Sequence, residues 1–417
     1  MRIVKRIALG LLALIVLAVL LLAGLPWVPV AKDQFGSEPY REWLAEQKQA
    51  IDLDQQREVI DLPAQFGDAR FVMLSEMHGF ADVQRVNLAL LRELNDEHGV
   101  RTYLAELSPA QAMAFNAMVS GGDDALAREV FDQWSETRTQ WGNREFFAKL
   151  RAIAEDNDRR PEDERVYFVG VDKEGHDEWA AKVVSELGGE GDPAFGSLAG
   201  VQAINRELAE LEGEREDSPS RYDSILPNID AIMQVEGAGD ETFYGLWGLF
   251  HGSKRAVNGS EPLAMRLDAA DGPFAGKVLA VGTLAIDWSF NMMPAQALPG
   301  FWQGPNGEPY SLVPLSYDHT YFGRVRGVND IAAAMGDDRA AMFRISGEGS
   351  PYAQGPRLTD ASGIFPMMQG FEYGGPAAEV MDYLVVLRGS PALTPWKGET
   401  YDVTGGDAPA SNTGMIR

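Results

Sequence analysis

The chain contains no cysteine in its 417 residues. That absence removes a cysteine nucleophile, any thiolate metal site and any disulfide from consideration. Positive charge is scarce too: 36 Lys and Arg stand against 62 Asp and Glu, for a formal net charge of -26 and a pI near 4.6. Such a balance argues against nucleic acid as a partner, because phosphate neutralisation needs a basic patch and none is visible. The acidity favours solubility and carries no information about fold. Familiar catalytic signatures are missing as well. No serine sits in a Gly-x-Ser-x-Gly elbow, which argues against an ordinary α/β-hydrolase. There is no His-Glu-x-x-His, no P-loop, and no Gly-x-Gly-x-x-Gly after a strand.

Long apolar runs are absent except at the start. Arg2, Lys5 and Arg6 precede an uncharged stretch from Ile7 to Ala31. An apolar block of about 18 to 20 residues can span a bilayer. The leading cations then keep the N-terminus cytoplasmic and export the rest. Residues 1–31 therefore read as a signal anchor, with a cleaved signal peptide as the alternative. The inner membrane, through residues 7–28, is the expected partner, and the bulk of the chain is expected in the periplasm.

Beyond the anchor, residues 32–69 read as a linker with one surface helix, and residues 70–395 as a single α/β domain. "RFVML" is a buried strand, and the following "ADVQRVNLALLRELNDEHG" is a helix. Its apolar positions Val83, Val86, Leu90, Leu91 and Leu94 recur at helical spacing, and Gly99 stops it. "VRTYLAE" is the next strand. Ser108, Pro109 and Gln111 then match the N-cap, N1 and N3 positions of a capping box. Strand and helix in alternation predict a mostly parallel central sheet flanked by helices. Further strands are expected at "VYFVGVD", "FYGLWGLFHG", "KVLAVGT", "AAMFRI" and "DYLVVL". Helical insertions are expected near 112–160 and 176–240, the second roofing the carboxyl edge of the sheet. Residues 288–325 read as loop-heavy and residues 396–417 as a flexible tail.

Ionisable residues gather at the predicted strand ends. Glu76 and His78 follow the first strand, in "VMLSEMHGF". Glu106 ends the second, and Asp172 ends the third with His176 four residues later. His251 ends "LWGLFHG". In a parallel sheet these ends share one edge, where open α/β sheets form their sites. Each residue also has a plainer reading. Glu106 can favour the next helix start through its dipole, Asp172 can be a turn residue, and His251 can be a core histidine. Glu76 and His78 are harder to dismiss, since residues two apart on a strand point the same way.

These blocks resemble the erythromycin esterase/ChaN-like superfamily. The resemblance rests on "LSEMHGFADVQRVNLALLRELNDEHGVRTYLAE", "YFVGVD" and "GLFHGSKRAVNGSEPLAMRL", in that order, over roughly residues 70 to 270. It implies hydrolysis of an ester or amide without a serine nucleophile. His78 would be the general base on water, Glu76 and Glu106 the assisting carboxylates, and His251 the second histidine. Two departures stand out. Only Met77 separates Glu76 from His78, and Ser75 replaces the usual glycine. The spacing is nearer to ChaN-like members, which are associated with haem or iron. A non-catalytic haem- or metal-binding envelope protein is therefore the competing reading. Glu76, His78, Glu106 and His251 are O and N donors of the kind Zn or Mn accepts. A divalent metal thus stays open as cofactor, with haem as runner-up, and a small-molecule or envelope-derived substrate as partner.

Overall fold

A computed structural model describes residues 14, 16, 36–53, 60–173, 177–188, 191–214, 221–319, 323–362 and 375–404. Its centre is one eight-stranded sheet. The strands are β1 (Lys48–Ile51), β2 (Phe71–Glu76), β3 (Thr102–Ala105), β4 (Tyr167–Gly170), β5 (Phe243–Gly248), β6 (Val278–Ile286), β7 (Ala340–Arg344) and β8 (Tyr383–Arg388). They lie in the order β4-β3-β5-β2-β6-β8-β7-β1. From β4 to β8 every neighbouring pair is parallel. β7 runs against β8, and β1 against β7, so the sheet as a whole is mixed. The expectation of a mostly parallel sheet holds for the six-strand block and fails at the β7–β1 end. Apolar runs mark "AAMFRI" and "DYLVVL" as strands but do not encode their direction.

Its helices include α1 (Glu38–Glu46), α2 (Ala81–His98), α3 (Pro109–Val119), α4 (Ala125–Glu136), α5 (Arg144–Asp158), α6 (Asp177–Leu187), α7 (Leu198–Glu214) and α8 (Tyr222–Ile232), followed by three shorter ones at Leu263–Asp268, Val328–Met335 and Ala377–Val380. α2 buries the stripe read from its sequence: Val83, Val86, Leu90, Leu91 and Leu94 are all at most 2% exposed. Gly99 closes it in the left-handed region, φ 63°, which glycine adopts without a Cβ clash. α3 starts on the expected capping box, with Ser108 and Gln111 bonding each other's backbone amides.

The outer edge of the sheet is closed by side chains. In β4, alternate residues bond to β3, as Tyr167 N–H does to Arg101. The outward-facing groups are taken by three buried asparagines. Asn157 holds Val166 N–H and C=O, Asn116 holds Phe168 N–H and C=O, and Asn205 from α7 accepts from Gly170 N–H and donates to Phe168 C=O.

Three expectations need correction. Residues 36–53 are integral to the domain rather than a linker: Leu44 of α1 is fully buried, Trp43 donates to Arg344 C=O at 2.7 Å, and β1 joins the main sheet. The region read as loop-heavy contains the strands Phe290–Pro294 and Tyr310–Pro314, which pair with each other. The tail is docked up to residue 404. Trp396 packs on Phe147 at 4.8 Å and donates to Asp132, and Thr400–Asp402 pairs with Tyr310–Leu312. These segments are short and pair through the backbone, so side-chain periodicity does not reveal them. The anchor expectation lies outside the described residues save two positions, and residues 405–417 lie outside them too. Among the described residues no helix is long and apolar enough to cross a membrane.

Candidate functional site

The cleft begins where two parallel strands part. β5 pairs with β2 along six residues, but with β3 only at Thr102–Phe243 and Tyr103–Tyr244. Beyond that point the β5 amides that faced β3 are taken by β3-side side chains. Leu246 N–H donates to the Tyr103 hydroxyl at 3.1 Å, and Gly248 N–H donates to Glu106 Oε2 at 2.7 Å. Strands that splay at their carboxyl ends leave a crevice, and Glu106 stands in it.

Around that crevice the sequence-predicted residues converge. Glu76, the last residue of β2, is 1% exposed and its Oε1 lies 3.1 Å from His78 Nδ1. Glu106 Oε1 lies 3.2 Å from His251 Nε2. His251 Nδ1 meets the Tyr222 hydroxyl at 3.0 Å. The two pairs face each other over Gly248. A Cβ at that glycine would stand 3.2 Å from His78 Nε2 and 3.4 Å from His251 Cδ2. Glu76, His78, Glu106 and His251 thus share one cleft of about 230 Å³, also lined by Met77, Gln140, Arg221, Leu249 and Phe250.

The loop carrying His78 is held firmly. Its carbonyl accepts from Asn291 Nδ2 at 2.6 Å and from Gln140 Nε2 at 3.0 Å. Gly79 follows at φ 111°, and a Cβ there would strike the Asn291 side chain at 2.3 Å. The His78 ring lies against Trp141, centroids 4.5 Å apart. The first amides of α2 do not point into the cleft as anions' partners: Ala81 N–H bonds to Pro391 C=O and Asp82 N–H to Ser390 Oγ.

Asp172 reaches the site through an intermediary. Arg221, at the start of α8, donates Nε to Asp172 Oδ1 at 3.1 Å and Nη2 to both Asp172 and Glu106, the latter at 2.9 Å. Asp172 therefore holds the arginine rather than facing the histidines. His176 lies outside the described residues. Of the helical insertion expected to roof the cleft, among the described residues α7 lies against β4 and α3, while α8 reaches the carboxyl edge through Arg221, Tyr222 and Asn228, which donates to Val171 C=O at 3.0 Å. Sequence reasoning missed Arg221, Tyr222, Gln140 and Trp141. All come from helical or loop segments far from any strand end, where no pattern marks them.

Electrostatics divide the pairs. Burial alone would lower the His78 pKa, but the Glu76 hydrogen bond and the charges of Glu76 and Glu106 overcome it and raise the value above 6.5, against an opposing push from Arg221. Burial would raise the Glu106 carboxyl, yet the bond and charge of His251, with His78 and Arg221, bring it down to about 2. Behind the site lies Lys149 of α5. It is fully buried, 4.0 Å over the Phe146 ring, and among the described residues its Nζ has no hydrogen-bond partner. Burial pushes its amine down to about 7, against the attraction of Glu76.

The donor set does not suit a metal. Among the described residues no group of three or more His, Asp and Glu is placed to hold one. The physical reason is Arg221: its fixed charge sits on Glu106 and Asp172, while Gly248 N–H and His251 take the remaining Glu106 positions. The four candidate ligands therefore act as two pairs. A haem fits no better, since both ring nitrogens of His251 are engaged and the space at His78 is polar and below the roughly 300 Å³ at which ligand pockets usually begin.

No family model matches the chain, and a search of curated proteins gives no match. Solved structures do match. A Bacillus cereus protein is 11% identical with a TM-score of 0.53, over 87% of this chain and all of that one. A succinoglycan biosynthesis protein is 11% identical with a TM-score of 0.55 and the same coverage. A mutant erythromycin esterase in its open conformation is 13% identical with a TM-score of 0.49, over 83% of this chain and 98% of that one. At such identities the first two establish a shared fold.

Proposed function

We propose that this chain, which has the fold of the erythromycin esterase/ChaN-like superfamily, is a hydrolase that cleaves an ester or amide bond with a water activated by His78. The observation that carries the reading is the His78–Glu76 bond at 3.1 Å, made through Nδ1. With Nδ1–H donated to the carboxylate, the lone pair of the neutral ring sits on Nε2, over Gly248 and facing the cleft. His78 Nε2 takes the proton as water attacks the carbonyl and returns it to the leaving oxygen or nitrogen. Glu76 fixes the ring and stabilises the imidazolium in between.

The other residues complete the chemistry. Arg221, half-exposed and already anchored, is the cation available to a developing oxyanion. Glu106 stays ionised, holds Arg221, and accepts from His251 Nε2–H. His251 Nδ1 meets the Tyr222 hydroxyl at 3.0 Å, so both ring nitrogens are engaged. His251 thereby orients Glu106 rather than competing with His78 for water.

The test is His78→Ala on a panel of generic esters. Loss of roughly 10² to 10⁴ in rate with an intact fold is the expected result. Activity within about threefold of wild type removes His78 as the base. Arg2, Lys5 and Arg6 ahead of the apolar N-terminal stretch support a further reading: a domain tethered to a bacterial inner membrane, acting on an envelope-derived substrate. A reporter fused after residue 60 that is active only in the cytoplasm would overturn the tether.

A further inference from the structure

A second cavity lies on the same sheet edge, beside the first. Leu249, Leu284, Leu384 and Met381 dominate its walls, with Thr283 and Tyr317 among the few polar residues. Two contacts place it next to the candidate catalytic cleft. Leu249, the residue after β5, lines both spaces. Met77, between Glu76 and His78, receives the Tyr317 hydroxyl on its sulfur at 3.2 Å, so these two side chains form the partition. Register agrees. Leu74 pairs with Val281, and counting on from there sets Thr283 level with Glu76.

The contrast in chemistry is sharp. One space is lined by carboxylates, imidazoles and a guanidinium, and the other is almost wholly aliphatic. Water gains little in the second, because it needs two to four polar partners and finds few there. An aliphatic chain gains by leaving water. The free volume is about 50 Å³, room for roughly three to five water-sized groups.

We propose that this cavity is the subsite for a short aliphatic chain flanking the scissile bond, so that the substrate is an ester or amide with a chain of about four carbons. The proposal rests on the hydrolase reading for the position of the bond. The cavity's preference for an aliphatic chain is independent of turnover.

The experiment uses the full chain. Hydrolysis is measured for aryl acetate, butyrate and octanoate, and for methyl, butyl and octyl acetates, so that acyl and alcohol sides are told apart. On one of the two sides kcat/KM should rise roughly fourfold per methylene up to about four carbons, then fall at eight. Thr283→Phe and Ala361→Phe, which fill the cavity, should each flatten that series. In parallel, butyrate should protect the wild type from thermal unfolding at lower concentration than acetate, and Thr283→Phe should abolish the difference. Butyrate preference without cleavage of any ester supports the cavity and defeats the hydrolase reading. Cleavage that is flat in chain length on both sides, with equal protection by acetate and butyrate, overturns the subsite and leaves the hydrolase standing.

Discussion

Glu106→Gln removes the charge on which the cleft converges, and its cost can be worked from the structure. The native carboxyl is almost fully buried and is held at about 2 against an ordinary 4.5. A depression of that size corresponds to about 3 kcal/mol of stability at neutral pH. Because the folded value lies below the unfolded one, this stability is complete above about pH 4.5. It drains away as pH falls through about 2. The glutamine keeps the shape and can still accept from Gly248 N–H, but it has no charge to offer Arg221 or His251. Urea denaturation of both proteins at pH 7 and pH 3 isolates the effect, since other groups titrate alike in the two. The stability gap should be about 3 kcal/mol at pH 7 and shrink to about 1 kcal/mol at pH 3. A gap that is absent at pH 7, or the same at both pH values, would refute the reasoning.

Further outcomes follow from the same geometry. The raised His78 pKa means that kcat/KM should climb with pH through a midpoint above 6.5, because only the deprotonated ring accepts a proton. Glu76→Gln should move that midpoint down, and a wild-type midpoint below 6.5 contradicts the assignment. Gly248→Ala places a methyl 3.2 Å from His78 Nε2. Its kcat should fall roughly ten- to a hundredfold with the melting temperature little changed, and an unchanged kcat shows that the ring can give way. Lys149→Met should stabilise. The buried amine, at about 7 against 10.5, holds fewer protons folded than unfolded, so stability is lost as pH falls below 10.5. Denaturation should show a gain of roughly 3 to 4 kcal/mol at pH 7 that dwindles by pH 10. Equal stability at pH 7 would mean that the amine has a partner.

Much of this fold is legible in the sequence because buried parallel strands are continuous apolar runs. All seven strand segments read from the sequence are found in the main sheet, and its eighth strand, β1, was missed. "KQAI" has one buried residue and is held by backbone pairing to β7, which leaves no side-chain signature. The site divides in the same way. Glu76, His78, Glu106 and His251 are readable because chain direction alone delivers strand ends to one edge. Asp172 was placed correctly at that edge, but its partner was hidden. Arg221 comes from the start of a helix in the insertion, and only the fold brings it 2.9 Å from a residue 115 positions earlier.

The asparagines along β4 have a consequence for how this molecule meets others of its kind. A bare sheet edge is a template: its free amides and carbonyls accept a strand from any neighbour, and fibrils grow that way. Here Asn157, Asn116 and Asn205 already occupy the outward groups of Val166, Phe168 and Gly170, each from a buried position within the same chain. An incoming strand would have to evict three amide side chains and bury them unpaired. Growth of the sheet is therefore blocked at that side by residues that never touch the cleft, and strand addition there would require local unfolding first.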